Sequence, residues 1–143
     1  LNYDDGYVHK VKNLKLIKKN IIEIKKKYKN YLKVIISNQS GIGRKIFNKK
    51  DFDVFTINLI KRLYKENIFI SNVYYCPHHL NAKEKKYKRK CNFRKPNSGM
   101  INMALKKLEI KKGNNCLIIG NDKNDQELSI RTKIKYVDAN KII

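Results

Sequence analysis

Three short stretches hold the residues best suited to chemistry. Ser37-Asn38-Gln39-Ser40-Gly41 offers a hydroxyl, two amides and a glycine turn whose backbone N–H groups can cradle an anionic oxygen, although the same residues also make an ordinary capped turn. Arg94-Lys95 places a planar guanidinium fork beside a point charge, a pair suited to holding a phosphate and neutralising charge that develops on it. Asn121, Asp122 and Asp125 could put oxygen ligands on a hard cation such as Mg²⁺, which takes one or two protein carboxylates plus substrate phosphate; equally, they could cap a helix.

A fourth group is softer. Cys76-Pro77-His78, with Cys91 further along, supplies two thiols and an imidazole of the kind zinc prefers. A fourth ligand is not evident: His79 adjoins His78, and neighbouring histidines rarely reach one ion, while Phe93 stands where a second cysteine of a C-x-C pair would be natural. Cys116 lies within an apolar run and reads as a packed core thiol. His9 reads as a surface residue near the mouth of the site. Three unevenly spaced cysteines do not make a disulfide framework.

These groups need a scaffold, and the hydrophobic pattern supplies one. Leu14, Ile17, Ile21, Ile24 and Tyr28 recur at steps of three and four and predict a helix with lysines on its far face. Leu32 to Ser37 is short, β-branched and almost continuously apolar, as in a strand covered on both faces. Phe52, Phe55, Leu59 and Leu63 predict a second helix, with Asn48 as N-cap and Asp51 three residues on. Asn72 to Cys76 reads as a strand; Pro77 to Pro96 is a polar, lysine-rich stretch of a length unusual without a function or something to fold around. Met100, Ile101, Ala104, Leu105 and Leu108 mark another helix, residues 116–120 a buried strand, and a last helix precedes a strand at Ile134 to Val137. Strand and helix alternate, so an α/β fold with a parallel sheet and helices on both faces is expected. The chemical candidates then fall at the carboxyl ends of strands, where ligands of such sheets bind.

Composition sets limits. A length of 143 residues suits one domain with a real core. Neither a membrane-spanning run nor a signal-peptide layout is present, so a cytoplasmic protein without a membrane partner is expected. The net charge of +22 would suggest nucleic acid. Lysine, however, is spread through every segment together with isoleucine and asparagine, as A/T-rich coding would produce, and nucleic acid is not the expected partner. The rival reading is a basic surface centred on Lys83 to Lys95.

Taken together, Gly6-Tyr7-Val8-His9, the loop from Ser37 to Arg44, YYCPHH at 74–79 and CNFRKPNSGM at 91–100 resemble, in order and spacing, the histidinol-phosphatase-like branch of the haloacid dehalogenase superfamily, and within it the heptose bisphosphate phosphatases. The resemblance covers nearly the whole chain. It implies a haloacid-dehalogenase-like three-layer sandwich and a single domain over 1–143 with a zinc-loop insertion at 76–96; with no signal of oligomerisation in the sequence, a monomer is expected. It also implies hydrolysis of the 7-phosphate of D-glycero-D-manno-heptose 1,7-bisphosphate on the way to ADP-heptose and lipopolysaccharide, with a small sugar phosphate as partner, Mg²⁺ as cofactor and Zn²⁺ in the loop. A histidinol-phosphate phosphatase, or a non-catalytic relic binding phosphate or nucleic acid, is the alternative.

By the same resemblance Ser37 replaces a threonine that hydrogen-bonds the transferring phosphoryl group, and Arg94 and Lys95 are the recognition arginine and the lysine that stabilises phosphoryl charge. Asp4, Asp5, Gly6, Tyr7, Asn38, Gln39, Ser40 and Asp122 would contact substrate, and Cys76, His78 and Cys91 would hold zinc. Three departures stand out. Asn121 occupies the place of a Mg²⁺-binding aspartate, and Phe93 that of the fourth zinc cysteine. The D-x-D-G motif that carries nucleophile and general acid is expected immediately before Leu1, at the end of the central strand. Without it the 143 residues are expected to be inactive, with two unpaired strand edges and an opened core.

Overall fold

The computed structural model describes residues 8–113 and 115–141. Asp4, Asp5, Gly6 and Tyr7 lie outside the described residues. Helix α1 (Lys18–Lys27), strand β1 (Val34–Asn38), the one-turn helix α2 (Ser40–Gly43), α3 (Lys49–Lys65), β2 (Asn72–Cys76), α4 (Gly99–Lys107), β3 (Leu117–Gly120), α5 (Lys123–Thr132) and β4 (Lys135–Asp138) follow one another, with 3₁₀ turns at Val11–Asn13 and Lys85–Tyr87.

Local chemistry explains the sharpest boundaries. At the start of α3 the Asn48 side chain accepts from the Asp51 N–H at 2.8 Å, and the Asp51 carboxylate accepts from the Asn48 N–H at 3.1 Å. Two donors that a helix start would leave unpaired are thereby satisfied. At the other end Asn67 takes the left-handed conformation at φ 58°, and the Ile68 N–H donates to the Leu63 carbonyl at 2.9 Å. The side chains of Ile68 and Leu63 are both buried, so the stop of the helix is also a core contact.

Helix α1 is shorter than its pattern. The spacing predicts a helical face from Leu14 to Tyr28, yet Leu14 to Ile17 are outside the helix. Leu14 is extended, its side chain is buried, and its carbonyl accepts from the Arg62 guanidinium on α3. Burial alone continued the apolar spacing across a change of backbone geometry. The first strand likewise begins at Val34, leaving Leu32 exposed.

Strand β1 pairs in parallel with β2, Val34 opposite Asn72 through Asn38 opposite Cys76; β3 pairs in parallel with β4, Leu117 opposite Lys135 through Gly120 opposite Asp138. Parallel neighbours need a crossover, which α3 and α5 provide. Successive strand side chains point to opposite faces. Accordingly, Ile35 joins the cluster of Leu14, Ile21, Leu59, Leu63 and Ile68, whereas Ile36 joins that of Ile101, Ile118, Leu128 and Ile134. Helices α1 and α3 therefore cover one face and α4 and α5 the other, the three layers expected.

The sheet itself is divided. One continuous sheet was expected; two two-stranded sheets are found, because among the described residues no strand lies between β1 and β3. Both strands instead border a cavity of 770 Å³. A strand covered on both faces should be well buried, yet every residue of β1 is only half-buried. Among the described residues the facing edges of β1 and β3 are therefore unpaired.

Candidate active site

The carboxyl ends of β1 and β3 meet through one lysine. Asn38, the last residue of β1, donates from Nδ2 to the Lys95 carbonyl at 3.0 Å and accepts from the Lys95 N–H on Oδ1 at 2.9 Å. Both polar atoms of Asn38 are engaged in clamping the Lys95 segment against the strand. From there Lys95 Nζ reaches Asp125 Oδ1 at 2.6 Å, with about a tenth of either side chain exposed. Asp125 sits in the first turn of α5 and packs against Gly120, the end of β3, so closely that a Cβ there would lie 2.3 Å from Asp125 Oδ2. Only glycine permits this approach.

Around that pair the remaining groups fall into place. Gln39 Nε2 donates to Ser37 Oγ at 2.7 Å, and Ser40 is buried at the start of α2. Ser37, Gln39, Lys95, Asn121 and Asp125 all border one cavity, whose remaining lining is mostly apolar. Tyr136 on β4 donates its hydroxyl to the Gly120 carbonyl at 2.9 Å, and burial, ahead of nearby carboxylates, holds its pKa above the ordinary phenol value. A buried ammonium beside a hydroxyl and amides at the strand ends is suited to receiving a phosphate dianion.

Asp122 caps α5, accepting from the Asp125 N–H at 2.8 Å. The capping role left open in the sequence is therefore realised. With one Asp122 oxygen used by the cap and one Asp125 oxygen held by Lys95, the described residues do not by themselves fit a Mg²⁺ site; Asn121 adds only a neutral carbonyl.

The polar stretch after β2 folds as a docked loop. Gly43 accepts at its carbonyl from the Lys83 N–H at 2.8 Å and the Glu84 N–H at 3.1 Å, and a Cβ on Gly43 would lie 2.6 Å from the Pro77 carbonyl oxygen. Within the loop Cys76, His78 and Cys91 bring their ligand atoms within 4.8 Å of one another, with Cys76 Sγ 3.7 Å from His78 Nδ1. Ligands about 2.0–2.3 Å from a tetrahedral zinc lie roughly 3.5 Å apart, so this cluster fits three of four positions. Burial pushes the Cys76 thiol up to about 11, partly offset by the His78 backbone N–H. Burial first, then Arg89, lowers the His78 pKa. His79 is not part of the cluster: its Nδ1 accepts from the Asn81 N–H at 3.0 Å in its own turn. Arg94 donates to the His78 carbonyl at 3.3 Å, tying the loop to the phosphate-side segment.

Two further residues lie beside these groups. Cys116 is half-buried at the cavity wall, packed against the Ile101–Ile118 cluster rather than sealed within it. His9 stacks on Phe47 at 4.9 Å between ring centroids, an ordered contact beside α2. Asp125, considered from sequence only as a cation ligand, is the partner of Lys95. Tyr136 carried no signal at all, since a lone tyrosine on a strand has no distinguishing spacing.

A family described as polynucleotide kinase 3 phosphatase matches residues 4–139. The chain belongs to this phosphatase family. It is 36% identical over 136 residues to the D-glycero-β-D-manno-heptose-1,7-bisphosphate 7-phosphatase of Haemophilus influenzae, covering 94% of this chain and 73% of that protein. The enzyme of the same name from Photorhabdus laumondii is 35% identical over 137 residues, covering 94% and 71%. Among solved structures, a HAD-like phosphatase from Mesorhizobium loti superposes with a TM-score of 0.84 at 25% identity, covering 93% of this chain and 64% of that one. The D,D-heptose 1,7-bisphosphate phosphatase of B. bronchiseptica, complexed with magnesium and phosphate, gives a TM-score of 0.76 at 16% identity, covering 92% and 70%. The fold of this phosphatase family member is therefore haloacid-dehalogenase-like. No helix among the described residues is long and apolar enough to cross a membrane.

Proposed function

We propose that this chain forms the phosphate-binding part of a sugar bisphosphate phosphatase acting on the 7-phosphate of D-glycero-D-manno-heptose 1,7-bisphosphate, a step toward lipopolysaccharide heptose. The observation that carries this reading is the buried Lys95–Asp125 pair at 2.6 Å, set where the ends of β1 and β3 converge beside Ser37. Lys95 faces the phosphoryl group and offsets the charge gathering on its oxygens; Ser37 donates its hydroxyl; Asn38 positions Lys95 through the main chain. Arg94 recognises the remote end of the substrate. Asp125 holds the ammonium in place without touching substrate.

Hydrolysis through a covalent route also needs a carboxylate nucleophile and a carboxylic acid to protonate the leaving oxygen. Asp122 and Asp125 are committed to a cap and to Lys95, so neither fills these roles. The D-x-D-G segment that the family resemblance places ahead of Leu1 would, and its carboxylates would complete the Mg²⁺ site that Asn121 and Asp122 cannot form. Zinc, held by Cys76, His78 and Cys91, would fasten the loop that carries Arg94 and Lys95.

The test compares phosphate release from heptose 1,7-bisphosphate, histidinol phosphate and a 3′-phosphorylated oligonucleotide, using the chain with a D-x-D-G strand fused ahead of Leu1. The heptose bisphosphate is expected to have the highest kcat/KM, and Lys95→Ala to lower kcat by about 10²–10³-fold. Preference for the oligonucleotide would instead make the +22 charge functional and overturn the sugar-phosphate reading.

A further inference from the structure

The donor set of Cys76, His78 and Cys91 stops one short. Their ligand atoms lie within 4.8 Å of one another, and among the described residues no further His, Cys, Asp or Glu joins the group. The nearest alternatives in sequence have other partners. His79 Nδ1 accepts from the Asn81 N–H at 3.0 Å. Glu84, the single carboxylate between Pro77 and Pro96, pairs with Lys86 at 3.2 Å. Phe93, two residues after Cys91, is half-buried and has no donor to offer. Cys116 packs against the Ile101–Ile118 cluster instead. A tetrahedral zinc closed by four protein ligands is purely structural, whereas three protein ligands leave a position for a ligand from outside.

Access and charge indicate what that ligand is. Cys76 is fully buried, but Cys91 and His78 are only half-buried, so the group is reached from their side. A divalent zinc with two thiolates and a neutral imidazole carries no net charge. Its surroundings are positive: Lys88, Arg89 and Lys90 are exposed immediately before Cys91, and the Arg94 guanidinium donates to the His78 carbonyl at 3.3 Å. Such surroundings favour an anion over a neutral donor. Among small anions a thiolate matches the soft ligands already present, whereas a carboxylate suits harder ions.

We propose that the loop holds its metal with three protein ligands and one exchangeable position, and that this position takes a small thiolate from solution. The inference needs only the donors of the loop and is independent of which phosphate ester the family chemistry acts on.

The experiment loads the 143-residue chain with Co²⁺, which accepts the same nitrogen and sulfur ligands as zinc and absorbs light when it does. Mercaptoethanesulfonate is then titrated in, with a phosphine as reductant, and ethanesulfonate, which has the same charge and no thiol, serves as the control. The thiolate-to-cobalt charge-transfer band is expected to grow by about half, as two sulfur ligands become three, and to saturate at about one thiolate per cobalt, while ethanesulfonate leaves it unchanged. A spectrum indifferent to the thiol would mean that the protein supplies a fourth donor, and would overturn the proposal. Loss of the cobalt bands on adding thiol would mean that the metal is stripped rather than ligated, and a chain that takes up no cobalt would show that three donors do not suffice; either result refutes the exchangeable position. An equal response to ethanesulfonate would mean that anions merely collect on the basic loop, which refutes it as well.

Discussion

Replacing Asp125 by alanine removes the carboxylate that pairs with the Lys95 ammonium. At 2.6 Å and an effective dielectric constant near 20 the gross attraction is about 6 kcal/mol, largely offset by the several kcal/mol needed to strip water from each ion. The net worth of the pair is therefore small, but removing one partner leaves a buried charge without compensation, at a cost of about 3–5 kcal/mol. Asp125→Ala should lower the urea midpoint by an amount corresponding to that loss. The double variant Lys95→Met/Asp125→Leu, which removes both charges and retains volume, should recover most of it. Equilibrium urea unfolding of the wild type, both single variants and the double variant supplies the cycle. A loss below about 1 kcal/mol for Asp125→Ala, or a double variant as unstable as the sum of the singles, would show that the pair is solvated and the burial argument is wrong.

Other consequences are equally concrete. Gly120→Ala forces a Cβ to within 2.3 Å of the Asp125 carboxylate and should cost about 1–3 kcal/mol in urea unfolding. Asn48→Ala removes one side of a reciprocal cap and should cost about 1 kcal/mol by the same measurement. Leu63→Ala, at a site 2% exposed in the cluster between α1 and α3, should cost about 2–5 kcal/mol. Zinc-loaded protein, measured by elemental analysis after dialysis, should retain one ion per chain, and Cys91→Ser should lose it while His79→Ala does not.

Much of the scaffold was legible because its signals are local. Asn48 and Asp51 announced the start of α3, and Asn72 to Cys76 bounded a strand whose ends the structure reproduces. The extent of α1 was misread because Leu14 is buried from an extended segment, and periodicity reports burial rather than backbone geometry. Helix α2 was not anticipated, since two glycines in four residues signal a turn more strongly than a helix. In the site, the phosphate-side and zinc-side residues were recognisable as clusters within short stretches. The pairing of Lys95 with Asp125, thirty residues apart, and the double hydrogen bond from Asn38 to the Lys95 main chain were not, because they arise only when the ends of two separate strands are brought together.

The most direct test of the phosphate site is a titration of the 143-residue chain with inorganic phosphate, followed by ¹H–¹⁵N correlation spectra. Saturable shifts at Ser37–Gly43, Lys95 and Gly120–Asp122, abolished in Lys95→Met, are expected. Non-saturating shifts spread over surface lysines and unchanged by that substitution would contradict a built phosphate site at the converging strand ends.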